Sequence, residues 1–354
     1  MQFSPNGLVT GIGSLPYLEP GSALELIKSN MSVIPHWPQL PMLGAQEGFV
    51  YQYLNPLVEM SLLVKNEKRA FFATDATDWA ERLTEFYTLY FAVMEGDEEA
   101  LGRFAFPPAS ASGFYALMES MGKDSGEACF VKGHVAGPLS IAFQLYDADG
   151  KVAYYQDQLR DLVVKTVALN ARWQAVAMSK LGLPVIVFLD EPGIRILGRS
   201  DYITVTKDMI MEDIGAIFEG IHAGGAMVGV HSCDAIDWEV LFESDLEIIS
   251  FDAYTYFNSF SAYTSGLKGF LQKGGSLAWG IVPTSPKLWD ESVDSLVKLL
   301  DSQWSELEGK GIGRELLKKQ SLITPACGTG LLTLEEAERI YTFTRQIGEI
   351  VRSF

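Results

Sequence analysis

The chain has 354 residues, 48% hydrophobic and 20% charged, which is the composition of a globular protein with a substantial core. Its formal net charge of −18 disfavours nucleic acid and anionic membrane as partners, since both require a basic footprint. No stretch approaches the roughly 18 consecutive apolar residues of a membrane span, and MQFSPNGLVTGIG lacks the regions of a signal peptide, so a cytoplasmic protein is expected.

Short apolar runs rich in β-branched residues predict strands near 8–13, 128–134, 184–190, 226–231, 246–252, 276–281 and 321–325. Amphipathic segments at 155–181, 206–223, 291–308 and 334–351 separate them, the last with Thr333 and Glu336 spaced as a capping box. Strands alternating with helices imply a parallel sheet. The stretch 30–125 is less regular, with Pro35, Pro38, Pro41 and Pro56 near its start and Pro107 and Pro108 near its end. No repeat and no interdomain linker interrupts the pattern, so residues 1–354 are expected to form one domain.

Unusual polar residues sit where the predicted strands end: Gly13-Ser14, His134, Asp190-Glu191, His231 and Cys233, Asp252, and Cys327. In a (β/α)8 TIM barrel the C-terminal strand ends converge on one face, so residues far apart in sequence meet there. A doubly wound sheet gathers ligands only near its switch point. Contributions from so many strands favour the closed α/β barrel.

Three cysteines cannot build a disulfide framework, which leaves packing, metal ligation or reactivity for each. Cys129, before Phe130 and Val131, reads as a buried core cysteine. His231 and Cys233 stand two positions apart at a strand end, where both can reach one ion, and Cys327 offers a third ligand. Two thiolates and an imidazole form a soft donor set that suits Zn2+ better than magnesium or calcium, with Asp252 or a substrate sulfur in the fourth position. The alternative is two ordinary buried cysteines beside a hydrogen-bonded core histidine. Asp190-Glu191 has its own alternative, a cluster capping a helix N-terminus.

The motifs TGIGSLP at 10–16, AGPLSI at 136–141, FLDEPG at 188–193, GVHSC at 229–233, EIISFD at 247–252 and TPACG at 324–328 occur in one order. In that order they resemble the catalytic domain of the cobalamin-independent methionine synthases, in the superfamily that includes uroporphyrinogen decarboxylase. The resemblance runs from residue 8 to the C-terminus and implies zinc ligation by His231, Cys233 and Cys327, with Asp252 where the family places a longer glutamate. It implies that Ile12, Gly13 and Ser14 cradle homocysteine and that Asp190, the candidate catalytic residue, binds its amino group. Glu47 in GAQEGF corresponds to a further homocysteine-binding glutamate.

The departures concern folate. Gln144 stands where the family has a tryptophan against the pterin, Ile196 where it has a folate-binding glutamate, and Thr284 where it has a histidine before Ser-Pro. The family's N-terminal half has no counterpart here. That balance resembles the short core forms of the family and implies methylcobalamin or another methylcorrinoid as cosubstrate, with a methylated corrinoid protein as partner and homocysteine as acceptor. Other thiols such as coenzyme M, a zinc-free lyase like uroporphyrinogen decarboxylase, and a noncatalytic barrel are the competing classes.

Overall fold

The computed structural model describes residues 3–65 and 70–353. Within the irregular stretch, β1 (Leu63–Lys65) and β2 (Ala70–Phe72) form a small antiparallel pair. The main sheet is parallel and runs in chain order through β3 (Val131–Ala136), β4 (Val185–Asp190), β5 (Met227–Ser232), β6 (Ile248–Phe251), β7 (Ser276–Val282) and β8 (Ser321–Pro325). Nearly every residue of these strands is buried, as expected for a parallel sheet covered on both faces and built from continuous apolar runs.

The sheet curls in the manner of a TIM barrel, but six regular strands form it rather than eight. The expected strand at 8–13 is an extended segment held by isolated bridges: Val9 pairs with Ile323 of β8, and Ser14 pairs with Gln39. On the other side, His36 pairs with Lys132 of β3. Segments 7–15 and 33–39 therefore link β8 to β3 by main-chain hydrogen bonds, among them Gly7 N–H to Ser321, Leu15 N–H to Gln39 and Trp37 N–H to Lys132. Pro35 and Pro38 lack N–H donors, which keeps 33–39 from forming a continuous ladder.

Side chains alternate across the pleat, so residues paired in register share a face. Ile186, Phe188, Ile248, Ala278 and Leu322 form one buried cluster with Phe3 and Ile34, the filling of the curled sheet. The opposite strand faces pack against helices Asp157–Ser179, Lys207–Ala223, Val293–Gly309 and Leu334–Ser353. The last buries Ala337, Ile340, Tyr341, Thr344, Ile347, Gly348 and Val351, a stripe at helical spacing. Each large aliphatic side chain so buried contributes about 1.5–3 kcal/mol. Its start is the expected capping box: Thr333 N–H donates to Glu336 at 2.9 Å, and Glu336 N–H donates to Thr333 Oγ1 at 3.2 Å.

Cys129 departs from its reading as a core residue. It lies exposed just before β3, which begins at Val131, so no strand geometry draws its side chain inward.

Candidate metal centre and cavity

Register assembles the site. Asp190 at the end of β4 pairs with His231 of β5, and His231 pairs with Ser250 of β6, so these side chains stand in one row on the inner face. Ala278 and Leu322 of the inner cluster continue that row across β7 and β8. Cys233 follows β5 and Cys327 follows β8, and each has left the ladder where its strand ends.

His231, Cys233 and Cys327 each offer a ligand atom, and the three atoms lie within 4.8 Å of one another. Nδ1 of buried His231 lies 3.0 Å from Ser250 Oγ, whereas Nε2 is buried with no hydrogen-bond partner among the described residues. A ring held through Nδ1 with an orphaned Nε2 is the arrangement of a metal-ligating histidine. The donor set fits a zinc ion with one position left open.

The Cys327 thiol and the His231 ring push the Cys233 thiol down to about 4, against the effect of burial. Cys327 moves the other way, raised by Cys233 and by burial. Burial alone would lower the His231 pKa, yet Cys233 and Asp190 outweigh it and the net direction is upward. The pair thus favours the thiolate at Cys233 and the protonated thiol at Cys327, so Cys327 becomes a ligand as its proton leaves.

Above this group lies a cavity of about 560 Å3, a size suited to a small substrate. Its polar lining is Ser14, Gln39, Asp190, His231, Cys233, Thr284 and Cys327; Ile12, Pro41, Phe49 and Leu332 supply apolar walls. Asp190 Oδ1 is buried without a hydrogen-bond partner among the described residues. Burial raises the Asp190 carboxyl to about 6, with His231 and Lys132 opposing the shift.

Asp252, Glu47 and Gly13 lie outside both the three-ligand group and the cavity lining. Asp252 stands outside the three-ligand group and caps helix Ala253–Ser261, accepting from Thr255 N–H at 2.8 Å. Glu47 does not line the cavity; it is buried and accepts from Ser112 N–H at 3.0 Å. Gly13 sits behind the lining, between Ile12 and Ser14, against the ring of His134. The capping role considered for Asp190-Glu191 belongs to Glu191 alone. Its buried carboxylate accepts from Leu139 N–H and Gly193 N–H, each at 2.8 Å, and from Ser140. Gln144 is exposed and donates to Ser140 O, while Ile196 is buried.

Sequence reasoning missed Ser250, Gln39 and Lys132. Ser250 interrupts the apolar run EIISF at the position that register sets beside His231. Gln39 is buried, donating to Gln52 at 2.7 Å and Tyr53 at 3.3 Å. Lys132 is fully buried inside FVKGHVAG, and a lysine within an apolar strand is itself a signal, since buried ammonium groups are rare.

No protein-family model and no curated protein sequence matches this chain. Among solved structures, a B12-independent methionine synthase from Shewanella sp. W3-18-1 in complex with selenomethionine is 15% identical, with a TM-score of 0.47 over 67% of this chain and 67% of that one. A GH113 β-1,4-mannanase is 11% identical, with a TM-score of 0.38 over 68% of this chain and 77% of the other. A GH20 catalytic module of a pneumococcal exo-β-D-N-acetylglucosaminidase is 10% identical, with a TM-score of 0.46 over 97% and 85%. Similarities this low do not choose among activities, so the functional reading rests on the residues of the cavity.

Proposed function

We propose that this cavity is the active site of a cytoplasmic, zinc-dependent thiol methyltransferase that moves a methyl group from a methylcorrinoid to homocysteine, giving methionine. The observation that carries the reading is the juxtaposition of His231, Cys233 and Cys327 with Asp190 in one cavity at the strand ends. The proposal takes residues 1–354 as one (β/α)8 barrel, with segments 7–15 and 33–39 in two strand positions.

His231, Cys233 and Cys327 would hold a zinc ion, which when bound would favour the thiolate form of the substrate thiol. Ser250 keeps the His231 ring aligned for ligation. Asp190 receives the substrate ammonium, an ionic hydrogen bond strengthened by burial. The N–H groups of Ile12, Gly13 and Ser14, which donate to no acceptor among the described residues, are the donors that this reading assigns to the substrate carboxylate. Ile12, Phe49 and Leu332 surround the sulfur with apolar walls, where its lone pair attacks the methyl carbon while cobalt keeps the electron pair of the broken bond.

Asp190 favours an amino-acid thiol over coenzyme M, which has no ammonium. No Arg or Lys lines the cavity among the described residues, which disfavours a polycarboxylate tetrapyrrole as substrate. Gln144 and Ile196 offer the pterin neither a stacking indole nor a carboxylate. The test incubates zinc-loaded protein and homocysteine with methylcobalamin, a methylated corrinoid protein, or methyltetrahydrofolate, and follows methionine and the corrinoid spectrum. Zinc-dependent turnover of the corrinoid donors supports the reading. Efficient turnover of methyltetrahydrofolate without corrinoid overturns it.

A further inference from the structure

Lys132 has no solvent exposure, and its Nζ lies 4.3 Å from the ring centre of Phe188 in the inner cluster. An ammonium buried there is costlier than an apolar side chain of the same length, so packing does not account for it. Its one hydrogen-bond acceptor among the described residues is the carbonyl of Ile12, at 2.6 Å. That bond completes a pattern along the cavity loop. Gly13 O accepts from Gln39 N–H at 3.1 Å, and Ser14 O accepts from Thr329 N–H at 2.9 Å and Thr329 Oγ1 at 3.0 Å. Three successive carbonyls are thus engaged by protein donors, while the N–H groups of the same residues meet no acceptor among the described residues. Because each peptide unit is planar, fixing a carbonyl fixes the direction of the N–H that follows it. On the other side of the loop, His134 stacks on Trp37 with ring centres 3.7 Å apart, and a Cβ on Gly13 would lie 2.7 Å from His134 Nδ1.

We propose that Lys132 is a positioning residue for substrate recognition: by holding the Ile12 carbonyl it orients the Gly13 N–H group, as Gln39 through the Gly13 carbonyl orients that of Ser14, toward the carboxylate of an amino-acid thiol. Its charge also offsets that of Asp190, with which it interacts electrostatically. The recognition role rests on the amino-acid-thiol reading above. The clamp itself does not.

The test uses the zinc-loaded full chain and Lys132→Met, which keeps the apolar stem and removes charge and donors. Hydrogen exchange at Leu15 and Gln39, whose N–H groups bond to Gln39 O and Gly13 O, is read without thiol, and zinc content is measured. Binding of homocysteine and of 2-mercaptoethanol is measured by calorimetry. Loop exchange is expected to quicken at unchanged zinc content. Homocysteine affinity should fall about 10- to 100-fold, the scale of a lost charged hydrogen bond, while 2-mercaptoethanol affinity holds. Unchanged exchange, or equal weakening of both thiols, overturns the proposal. If Lys132→Met does not fold, Gly13→Ala carries the test. It drives the loop off His134 with the charge intact, and a retained preference for homocysteine then refutes the role of loop position. A wild-type protein with no preference for homocysteine refutes the proposed function, and loop exchange then decides the clamp by itself.

Discussion

Replacing Ser250 with alanine removes one oxygen from the floor of the metal centre and nothing from its ligand set. Ser250 Oγ lies 3.0 Å from His231 Nδ1, both residues are buried, and they pair across β5 and β6. The contact holds the imidazole and leaves Nε2 as the free ligand atom. Loss of such a supporting hydrogen bond lowers metal affinity about 10- to 100-fold, equivalent to about 1.4–2.8 kcal/mol. The metal-free protein should lose about 1–3 kcal/mol of stability as well, because Nδ1 joins Nε2 as a buried group without a partner. Zinc affinity is measured by competition against a chelating dye, and stability by denaturant unfolding of the metal-free form. Wild-type zinc affinity in Ser250→Ala would refute ligation through His231 Nε2, since the ring would then need no support at Nδ1.

Cys233→Ser and Cys327→Ser should each abolish stoichiometric zinc binding without global unfolding, as both residues sit beyond the strand ends rather than in the packed layers; circular dichroism of the two variants alongside metal analysis checks this. In metal-stripped protein Cys233, held down to about 4, should remain a thiolate as pH falls through neutrality and lose that character only near its depressed pKa. Alkylation at about pH 6 followed by peptide mapping should therefore find Cys233 labelled and Cys327, whose pKa is raised, spared; equal labelling contradicts the assignment. Asp190→Asn should weaken homocysteine about 10- to 100-fold and leave 2-mercaptoethanol unaffected, the ammonium contact being the one removed. Gly113→Ala should strongly destabilise the fold, because a Cβ there would lie 1.9 Å from the carbonyl oxygen of Pro38, beside cavity-lining Gln39; a wild-type melting temperature refutes that packing.

The sequence by itself determined the alternation of strand and helix and the strand-end placement of the polar residues. Both follow from hydrophobic periodicity, which reports local burial directly. His231, Cys233 and Cys327 were legible because their chemistry is unusual and their positions fall where strands stop. Cys129, equally rare by type, belongs to no group of ligating side chains among the described residues, and it lies on the surface. Tertiary structure alone decided the rest. That Asp252 caps a helix depends on the first turn of the helix it precedes, where the Thr255 amide takes one carboxylate oxygen. Glu47 and Gln39 lie eight residues apart in a stretch without periodicity, and only the folded path of 33–53 turns Gln39 into the cavity and Glu47 toward Ser112. Ser250 and Lys132 act across strands that are distant in the chain, on His231 and on the Ile12 carbonyl. Pairing of that kind is set by register and by curvature of the sheet, which no local pattern of residues encodes.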